Sequence, residues 1–544
     1  MFVSTWHKLW AWHEQVKDIF RFFTTVPKEK TAEDKHLQTS IHDGGGSNRP
    51  PKTYTTGQLI GLMLGPVLFV VTLLTFKPEG LSGEGIAILA STLWIAVWWM
   101  TEAVPIPVTS LLPLVLFPLT DGLDIDTTAS SYGDDTIFLF MGGFMIALAM
   151  EKWDLHRRIA VSIISIIGTN MNRIVLGFMV ATGFLSMWIS NTATAMMMVP
   201  IGLAIIYQIS AALDQAKVTQ NYGKALMLGI AYAASLGGIS TLIGTPPNTL
   251  LAGAINKMYG VEISFAKWLL FGVPLAWIFI FVAWVYLVKF AYPSPIKTLP
   301  GGQDVIDEEK KKLGAASAEE KLVFFIFSLA ALSWITRSFL LEKIFPGISD
   351  GAIAMTFAIL LFIIPSINIK GDRLLDWETA VKLPWGILLL FGGGLAIAAG
   401  FVESGLSEWI GSQLIGLQDI NLVLVIGIVT ALVIFLTEIT SNTATASMMF
   451  PIMASLAIAL DIHPYALMIA AAIAASCAFM LPVATPPNAV VFGSGYLRIP
   501  DMVKVGFALN IIGILLTTMA INFLLPFVLD IDFHEVPEMF KNVR

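Results

Sequence analysis

Charged residues are scarce in this chain of 544 residues: Asp, Glu, Lys and Arg together make up 13% of it, whereas hydrophobic residues make up 56%. The mean hydropathy is accordingly high, at +0.77. An average soluble domain carries about 25% charged residues. The composition therefore excludes an ordinary soluble protein and predicts an all-α polytopic membrane protein.

Cysteine and histidine are also scarce. The single Cys477 lies in an apolar stretch without a partner, which excludes intramolecular disulfides and cysteine-ligated metal sites. The seven histidines lie at the ends of apolar segments or near the amino terminus rather than in a His-Glu metal set. A membrane-embedded hydrolase is therefore a poor alternative, and we expect no enzyme, no organic cofactor and no nucleic-acid partner.

The first 56 residues form the only long hydrophilic stretch. They lack the basic start, apolar core and small-residue cleavage site of a signal peptide, so we expect them to stay in the cytoplasm. Apolar residues recur at helical spacing over 2–23, which predicts an amphipathic helix that either lies on the bilayer surface or packs on its own protein. Residues 28–56 are rich in Gly and Pro and form a predicted linker.

Two apolar stretches are too long for one crossing. Residues 174–209 would extend about 54 Å as a straight helix, against a hydrocarbon core of about 30 Å. This stretch must fold back or cross twice, so its two ends emerge on the same side of the membrane. Residues 422–460 form the matching stretch in the second half of the chain.

The charges that flank these two stretches differ, and Lys and Arg mark cytoplasmic loops. Basic residues flank the first stretch, at Arg157, Arg158, Arg173, Lys217 and Lys224. Acidic residues and one histidine flank the second, at Asp419, Asp461 and His463. The two halves therefore have opposite predicted orientations, with the amino terminus in the cytoplasm and the carboxyl terminus outside the cell.

Together these patterns predict an inverted repeat with about eleven transmembrane helices and two re-entrant hairpins in the cell membrane. The predicted parts are a cytoplasmic segment (1–56), a first transmembrane helix (57–80), a first repeat (81–292, with hairpin 174–209 and broken helix 223–256), a cytoplasmic linker (293–320), a second repeat (321–529, with hairpin 422–460 and broken helix 465–497) and an extracellular tail (530–544). Inverted repeats bind their substrates near the bilayer midplane, where helices are broken.

Two polar phrases each occur twice inside the apolar sequence. Ser-Asn-Thr-Ala-Thr-Ala occupies 190–195 and 441–446, and Thr-Pro-Pro-Asn occupies 245–248 and 485–488. Small polar residues in a membrane helix often serve only close packing, and a proline pair is often only a kink. Their duplication favours a function, and uncharged oxygen-bearing residues in broken helices are typical of a transport site.

With these paired phrases, the chain from about residue 57 to its end resembles the divalent anion/sodium symporter family, and in particular its bacterial sodium-coupled dicarboxylate symporters. The resemblance implies symport of succinate, malate or fumarate into the cell, with sodium as the coupling ion. It also implies a homodimer in which transport domains move like elevators against scaffold domains.

The resemblance further implies which residues bind. Substrate would contact Ser190, Asn191, Thr192, Thr245, Pro246, Ser441, Asn442, Thr443, Thr485 and Pro486. One sodium ion would bind Ser186, Ser190, Asn191 and Gly244. A second would bind Thr437, Ser441, Asn442 and Ala484.

The residue types in the motifs suit this chemistry. Two Asn-Thr pairs offer amides and hydroxyls for two carboxylates, and no Lys or Arg lies in the motifs. Positive charge must then come from helix amino termini and bound cations. An exchanger would keep the same motifs, and an inverted repeat could also form a channel. An obligate dicarboxylate exchanger is poorly distinguished by sequence, whereas blocking hairpins argue against a channel.

An acidic residue lies inside the second hairpin. Glu438 precedes Ser441 in apolar sequence, where a charge costs roughly 2.5 to 3.5 kcal/mol at the bilayer centre. The first half has Met187 at the same place, so a symmetric sodium ligand is not expected. We predict a hydrogen-bonded structural acid.

Glycines also recur at matching places in the two halves. They are Gly142 and Gly143 in the first half and Gly392, Gly393 and Gly394 in the second. Because small residues let membrane helices approach closely, we predict that these glycines serve helix packing rather than ligand binding.

Overall fold

The computed structural model describes residues 54–168, 170–212, 216–293, 302–414, 420–533, 536–537 and 540. The predicted amphipathic helix at 2–23 and the linker up to residue 53 lie outside this part of the chain. Within it the backbone is mostly helical, with an isolated antiparallel bridge between Pro365 and Arg373 and without a β-strand. The prediction of an all-α protein is confirmed.

Five helices precede the unit of seven that carries the first copies of the polar phrases, and the last four of these five lie inside the predicted first repeat, 81–292. They are α1 (Thr56–Thr75), α2 (Gly83–Thr101), α3 (Ile106–Thr109), α4 (Pro113–Leu119) and α5 (Ile125–Ser130). On α2, the indole N–H of Trp98 donates to the backbone oxygen of Gly61 on α1 at 3.0 Å. Lipid offers no such acceptor, so this bond satisfies a polar group between two apolar helices.

Seven helices form the first repeated unit. They are α6 (Asp135–Lys152), α7 (Leu155–Ile167), α8 (Met171–Ser186), α9 (Asn191–Ala212), α10 (Ala216–Gly238), α11 (Pro246–Tyr259) and α12 (Phe265–Val285). The last of these continues into a π-helical turn, Tyr286–Ala291.

Five helices lie between the two units. They are α13 (Gly302–Leu313), α14 (Ala318–Thr336), α15 (Glu342–Ile344), α16 (Asp350–Ile363) and α17 (Trp377–Ala380). The predicted linker therefore contains a helix, α13. It is fastened to α7 by the ion pair of Arg157 with Glu309 at 2.6 Å, and α7 also holds α14, because Arg158 pairs with Glu320 at 3.0 Å.

Seven helices again form the second unit, and a short helix follows it. They are α18 (Trp385–Glu403), α19 (Leu406–Gln413), α20 (Leu422–Thr437), α21 (Asn442–Leu460), α22 (Tyr465–Ala475), α23 (Pro486–Phe492), α24 (Ile499–Met519) and α25 (Leu525–Leu529). In both units the Ser-Asn-Thr phrase leads into the fourth helix and the Thr-Pro-Pro phrase into the sixth. The duplicated phrases therefore belong to a duplicated order of helices, whereas the opposite orientation of the two units stays a prediction.

The breaks in the helices occur at the duplicated phrases. In the hairpins, α8 ends at Ser186 and α20 ends at Thr437, and a short non-helical tip precedes the next helix in each case. In the broken helices, α11 and α23 each begin with a proline pair. Proline suits the first turn of a helix because it has no N–H to leave unpaired there.

Nine helices in the described part of the chain are long and apolar enough to cross a membrane. They are Thr56–Thr75, Gly83–Thr101, Ile125–Lys152, Asn191–Ser210, Phe265–Ala291, Ala318–Ile344, Trp385–Glu403, Asn442–Leu460 and Ile499–Leu529. Shorter apolar helices include the first arm of each hairpin and the first half of the second broken helix. A polytopic membrane protein is confirmed, and the count of eleven crossings stays a prediction.

The matching glycines lie where helices touch. A methyl group on Gly142 would lie 2.6 Å from Ala354 of α16, and one on Gly393 would lie 2.6 Å from the backbone oxygen of Ser110. Gly392 lies directly against the ring of Tyr132. The predicted packing role is confirmed at these positions, and it brings α6 against α16 and α18 against the residues after α3.

Candidate functional site

A cavity of about 790 Å³ opens where the hairpin tips meet the broken helices. Both copies of both polar phrases contribute to its walls. All ten predicted substrate residues line it: Ser190, Asn191, Thr192, Thr245, Pro246, Ser441, Asn442, Thr443, Thr485 and Pro486. The structure thus brings into one space residues that lie far apart in the chain.

The predicted sodium ligands lie in and behind the same walls. Gly244 and Ala484 line the cavity together with the serines and asparagines of the tips. Ser186 and Thr437 are fully buried behind them. All eight predicted sodium residues therefore belong to two clusters, one in each half, and sodium binding by them stays a prediction.

The remaining walls come from the first and middle parts of the chain. Thr55 and Gln58 at the start of α1, Glu102 at the end of α2, and Pro384 and Gly386 at the start of α18 all line the cavity. Among the described lining residues Glu102 is the only charged one. An anion in this cavity would therefore meet no basic side chain, and positive potential would come from helix amino termini and bound cations.

Two strongly exposed apolar residues of the cavity wall have no lining counterpart in the first half. Ile439 and Val483 line the cavity with 68% and 84% of their surfaces exposed. Their counterparts in the first half are Trp188 and Ile243, neither of which lines it, and Ile243 is buried. The two halves therefore present similar polar groups but different apolar ones.

Each hairpin tip holds its asparagine through a hydroxyl five residues earlier. In the first half the Ser186 hydroxyl contacts the side chain of Asn191 and lies 2.6 Å from the backbone oxygen of Ala234. In the second half the Thr437 hydroxyl lies 2.8 Å from the amide oxygen of Asn442 and 3.1 Å from the backbone oxygen of Ala475. The same pattern of hydroxyl, amide and carbonyl therefore occurs twice.

Oxygen atoms converge around the first of these clusters. The end of the Asn191 amide that faces inward lies 3.2 Å from each of the backbone oxygens of Ala234 and Gly244. With the amide nitrogen turned inward, Asn191 donates to both carbonyls. With the amide oxygen inward, it joins these carbonyls and the Ser186 hydroxyl in a set of oxygens that suits a sodium ion.

A glycine is required beside this cluster. A Cβ atom on Gly238 would lie 2.8 Å from the backbone oxygen of Gly244 and 3.0 Å from the side-chain oxygen of Asn191. Any larger residue would push into the set of oxygens. The end of α10 therefore approaches the tip of the first hairpin as closely as backbone atoms permit.

Two residues of the duplicated phrases hold the unwound loops, a role that sequence reasoning did not assign. The side-chain amide of Asn248 donates to the backbone oxygens of Gly238, Ile239 and Thr241 at 3.2, 3.2 and 2.8 Å. The signal for this role was present, because the asparagine recurs with each Thr-Pro-Pro.

The second asparagine makes the equivalent bonds. The side-chain amide of Asn488 donates to the backbone oxygens of Ala478 and Leu481 at 3.1 and 3.0 Å. Gly238 and Thr241 lie at the same distances in sequence before Asn248 as Ala478 and Leu481 do before Asn488. This common spacing defines which loop residues of the two halves are counterparts.

Comparison with known proteins identifies the family. A family model described as the sodium:sulfate symporter transmembrane region matches residues 57–529. The chain belongs to the sodium:sulfate symporter family. The predicted resemblance to divalent anion/sodium symporters is thereby confirmed, and the matched region contains every described lining residue except Thr55.

Two similar proteins are named as sodium-dependent transporters. The sodium-dependent dicarboxylate transporter SdcS of Staphylococcus saprophyticus is 50% identical over 487 residues, which cover 88% of this chain and 94% of the relative. The protein of the same name from Staphylococcus aureus is 50% identical over 494 residues, with 90% and 95% covered. Members of this symporter family are transporters, so this protein is a transporter and not an enzyme.

A solved structure shares the fold. The YdaH transporter of Alcanivorax borkumensis aligns over 87% of this chain and 97% of its own, with a TM-score of 0.51 and 12% sequence identity. At this identity the likeness concerns architecture alone. It shows that the two chains share a helical membrane architecture.

Proposed function

We propose that this protein is a secondary active transporter that carries C4 dicarboxylates such as succinate, malate and fumarate into the cell together with sodium ions. The observation that carries the proposal is the single cavity lined by both copies of both polar phrases without a basic side chain. The two relatives described as sodium-dependent dicarboxylate transporters support the same substrate class.

Two sets of neutral donors suit a substrate with two carboxylates. Ser190, Asn191, Thr192 and Thr245 with Pro246 would face one carboxylate, and Ser441, Asn442, Thr443 and Thr485 with Pro486 would face the other. Hydrogen bonds to a charged acceptor are stronger than neutral ones, so amides and hydroxyls can hold an anion without a salt bridge. A monocarboxylate would leave one set of donors without an acceptor.

Sodium ions would supply the missing positive charge. The first would lie among the oxygens of Ser186, Ser190, Asn191 and Gly244, and the second among those of Thr437, Ser441, Asn442 and Ala484. Both sets flank the substrate residues, so a bound cation would lower the cost of placing a dianion there. Coupling follows because each solute makes the other's site more favourable.

The transport movement that we propose is an elevator within an inverted repeat. The hairpins and broken helices would move as one body against the remaining helices, in each subunit of a homodimer. The lining by Thr55, Gln58 and Glu102 supports an inward-open cavity, because the predicted amino-terminal side of α1 is cytoplasmic. The carboxyl terminus would then lie outside the cell.

Uptake into proteoliposomes tests the proposal. Purified protein would be reconstituted, and succinate uptake would be measured under an inward sodium gradient and in choline medium without lithium. We expect uptake only with sodium, and weak competition by butyrate, which has one carboxylate. Vesicles that contain the double variant Asn191→Ala with Asn442→Ala serve as the control, because succinate that enters them measures leak through the membrane.

The same vesicles distinguish the alternative function. Full net uptake in choline would overturn symport. Counterflow of dicarboxylate without sodium would then identify an obligate exchanger of the same fold. Lowering the pH through the second ionisation of succinate should reduce uptake in step with the dianion, and uptake that rises with the monoanion would contradict the site with two carboxylate positions.

A further inference from the structure

Glu438 lies at the tip of the second hairpin and is almost completely buried, with 4% of its surface exposed. Its carboxylate accepts hydrogen bonds from three consecutive backbone N–H groups, those of Phe479 at 2.8 Å, Met480 at 2.9 Å and Leu481 at 3.1 Å. The side-chain amide of Asn510 on α24 donates to it as well, at 2.8 Å.

Four hydrogen-bond donors therefore converge on one carboxyl group. An ionised carboxylate only accepts hydrogen bonds, whereas a protonated one must also place a hydrogen of its own. Successive backbone N–H groups that point at one spot form a concave anion site. The bonds offset the cost of a buried charge, and they satisfy N–H groups that would otherwise lie unpaired among membrane helices.

The first half satisfies the equivalent backbone in another way. Met187 occupies the place of Glu438, and the counterparts of Phe479 and Met480 are Ile239 and Ser240. Their N–H groups donate to backbone oxygens three residues earlier in the chain, at 3.2 and 3.0 Å. Two of the three equivalent N–H groups are therefore bonded within the turn of the first loop itself.

Helices α10 and α22, which lead into the two loops, end at different places. Helix α10 continues to Gly238, whose counterpart is Ala478, but α22 ends at Ala475. In the second half the carboxylate takes N–H groups that a continuing helix or turn would bond to its own carbonyls. A non-helical segment held by Glu438 therefore stands where the first half has the last turn of its helix.

The partner of Glu438 on α24 is also specific to the second half. Gly506 of α24 packs directly on the backbone of Phe479, as Gly272 of α12 packs on that of Ile239 at the same place in the first half. One turn later α24 carries Asn510, which is fully buried, whereas α12 carries Ala276. The hydrogen-bonded pair of Glu438 and Asn510 therefore has no counterpart at the equivalent positions of the first half.

We propose that Glu438 is a positioning residue for the second sodium site. It directly follows Thr437, and it holds the segment that leads to Ala484 and Thr485, so it aligns a hydroxyl and a backbone oxygen of one proposed site. The carboxylate also adds a negative charge beside that site. The two proposed sodium sites are then unequal, with the second dependent on a carboxylate that the first lacks.

The inference rests on the proposed sodium symport, and the experiment separates the two. Succinate uptake into proteoliposomes would be measured as a function of sodium for the unmodified protein and for Glu438→Gln. We expect the half-saturating sodium concentration to rise about tenfold, the equivalent of one hydrogen bond to a charged group. At saturating sodium, we expect the KM for succinate and the maximal rate to change less than about twofold, because Glu438 touches neither substrate nor cavity.

Conservative and matched variants sharpen the result. Glu438→Asp keeps the charge and should restore part of the sodium affinity. Met187→Leu changes the equivalent position of the first half with similar volume and should behave like the unmodified protein. If Glu438→Gln does not fold, Asn510→Ala removes one donor and leaves the backbone N–H groups on the carboxylate, and it should raise the sodium requirement in the same direction by a smaller factor.

Double variants show whether Glu438 acts through the second site. Combined with Ser186→Ala in the first proposed sodium site, Glu438→Gln should change sodium affinity by the sum of the two single effects. Combined with Thr437→Ala in the second site, it should change sodium affinity by less than that sum. Uptake without sodium by the unmodified protein would overturn the proposed symport itself. If sodium drives that uptake but Glu438→Gln has an unchanged sodium requirement, or loses rate equally at every sodium concentration, the positioning role is wrong.

Discussion

The first broken helix runs to Gly238 before its backbone opens, whereas the second stops at Ala475, although the same Thr-Pro-Pro-Asn phrase follows both. The first loop is closed by its own turn, and the second is held by the carboxylate of Glu438. On the side that faces the cavity the two halves present nearly the same polar groups. The residues behind that side, which support the loops, differ between the halves.

This contrast indicates where the duplicated halves were free to diverge. Ser190, Asn191 and Thr192 match Ser441, Asn442 and Thr443 residue by residue, and all of them line the cavity. The supporting residues need only place backbone atoms, and backbone atoms can be placed by different side chains. Support can therefore change while the chemistry presented to a substrate stays the same.

The largest effect that we expect is all-or-none, and it tests whether the halves have opposite orientations. In protein with Cys477→Ala, single cysteines would replace Ser162 and Ser412, which are exposed on α7 and α19, the second helix of each unit. A membrane-impermeant thiol reagent should label Ser162→Cys only from the cytoplasm and Ser412→Cys only from outside. Labelling of both cysteines from the same side would contradict the predicted inverted repeat.

Loss of either tip asparagine should be the next largest effect, because each serves both the proposed sodium and substrate sites. Asn191→Ala and Asn442→Ala should each reduce sodium-driven succinate uptake at least about a hundredfold, since a charged bond and a cation ligand are lost together. Asn256→Ala, on α11 outside the cavity lining, is the control and should retain uptake. A large difference between the two tip variants would show that the polar sides of the halves are not equivalent.

The loop asparagines should affect the two halves unequally. Asn248 donates to three backbone oxygens and Asn488 to two, and only the second loop has Glu438 as additional support. We expect Asn248→Ala to lower the free energy of unfolding by roughly 2 kcal/mol and Asn488→Ala by about 1 kcal/mol. Thermal unfolding in detergent would measure both, and the opposite order would contradict our account of how the loops are held.

The smallest effects should come from the threonines at the ends of the loops. Thr245→Ala and Thr485→Ala should each weaken succinate affinity by about 0.5 to 3 kcal/mol, the range for losing one hydrogen bond to a charged or buried partner. Thr485 also accepts a bond from the backbone N–H of Asn488 at 3.3 Å, so its variant should show the larger loss of stability. Substrate-dependent thermal shifts separate the two contributions, and unchanged affinity in both variants would exclude these hydroxyls from the site.

The sequence by itself determined the class of protein and the identity of the motif residues. Scarce charge and long apolar runs permit only a membrane environment, and polar residues inside such runs carry a cost that makes their exact repetition informative. The lengths of 174–209 and 422–460 required each to turn back. The breaks at Ser186 and Thr437 follow these expectations closely.

Only the tertiary structure decided how these parts meet. The cavity joins α1, α2, both hairpin tips and both broken helices, and its outline depends on packing between helices that are distant in the chain. The support of the second loop depends on Glu438 meeting Asn510, which lies 72 residues later. Hydropathy and charge flanks describe each segment against lipid and water, but they carry no information on which side chain meets which backbone N–H across the fold.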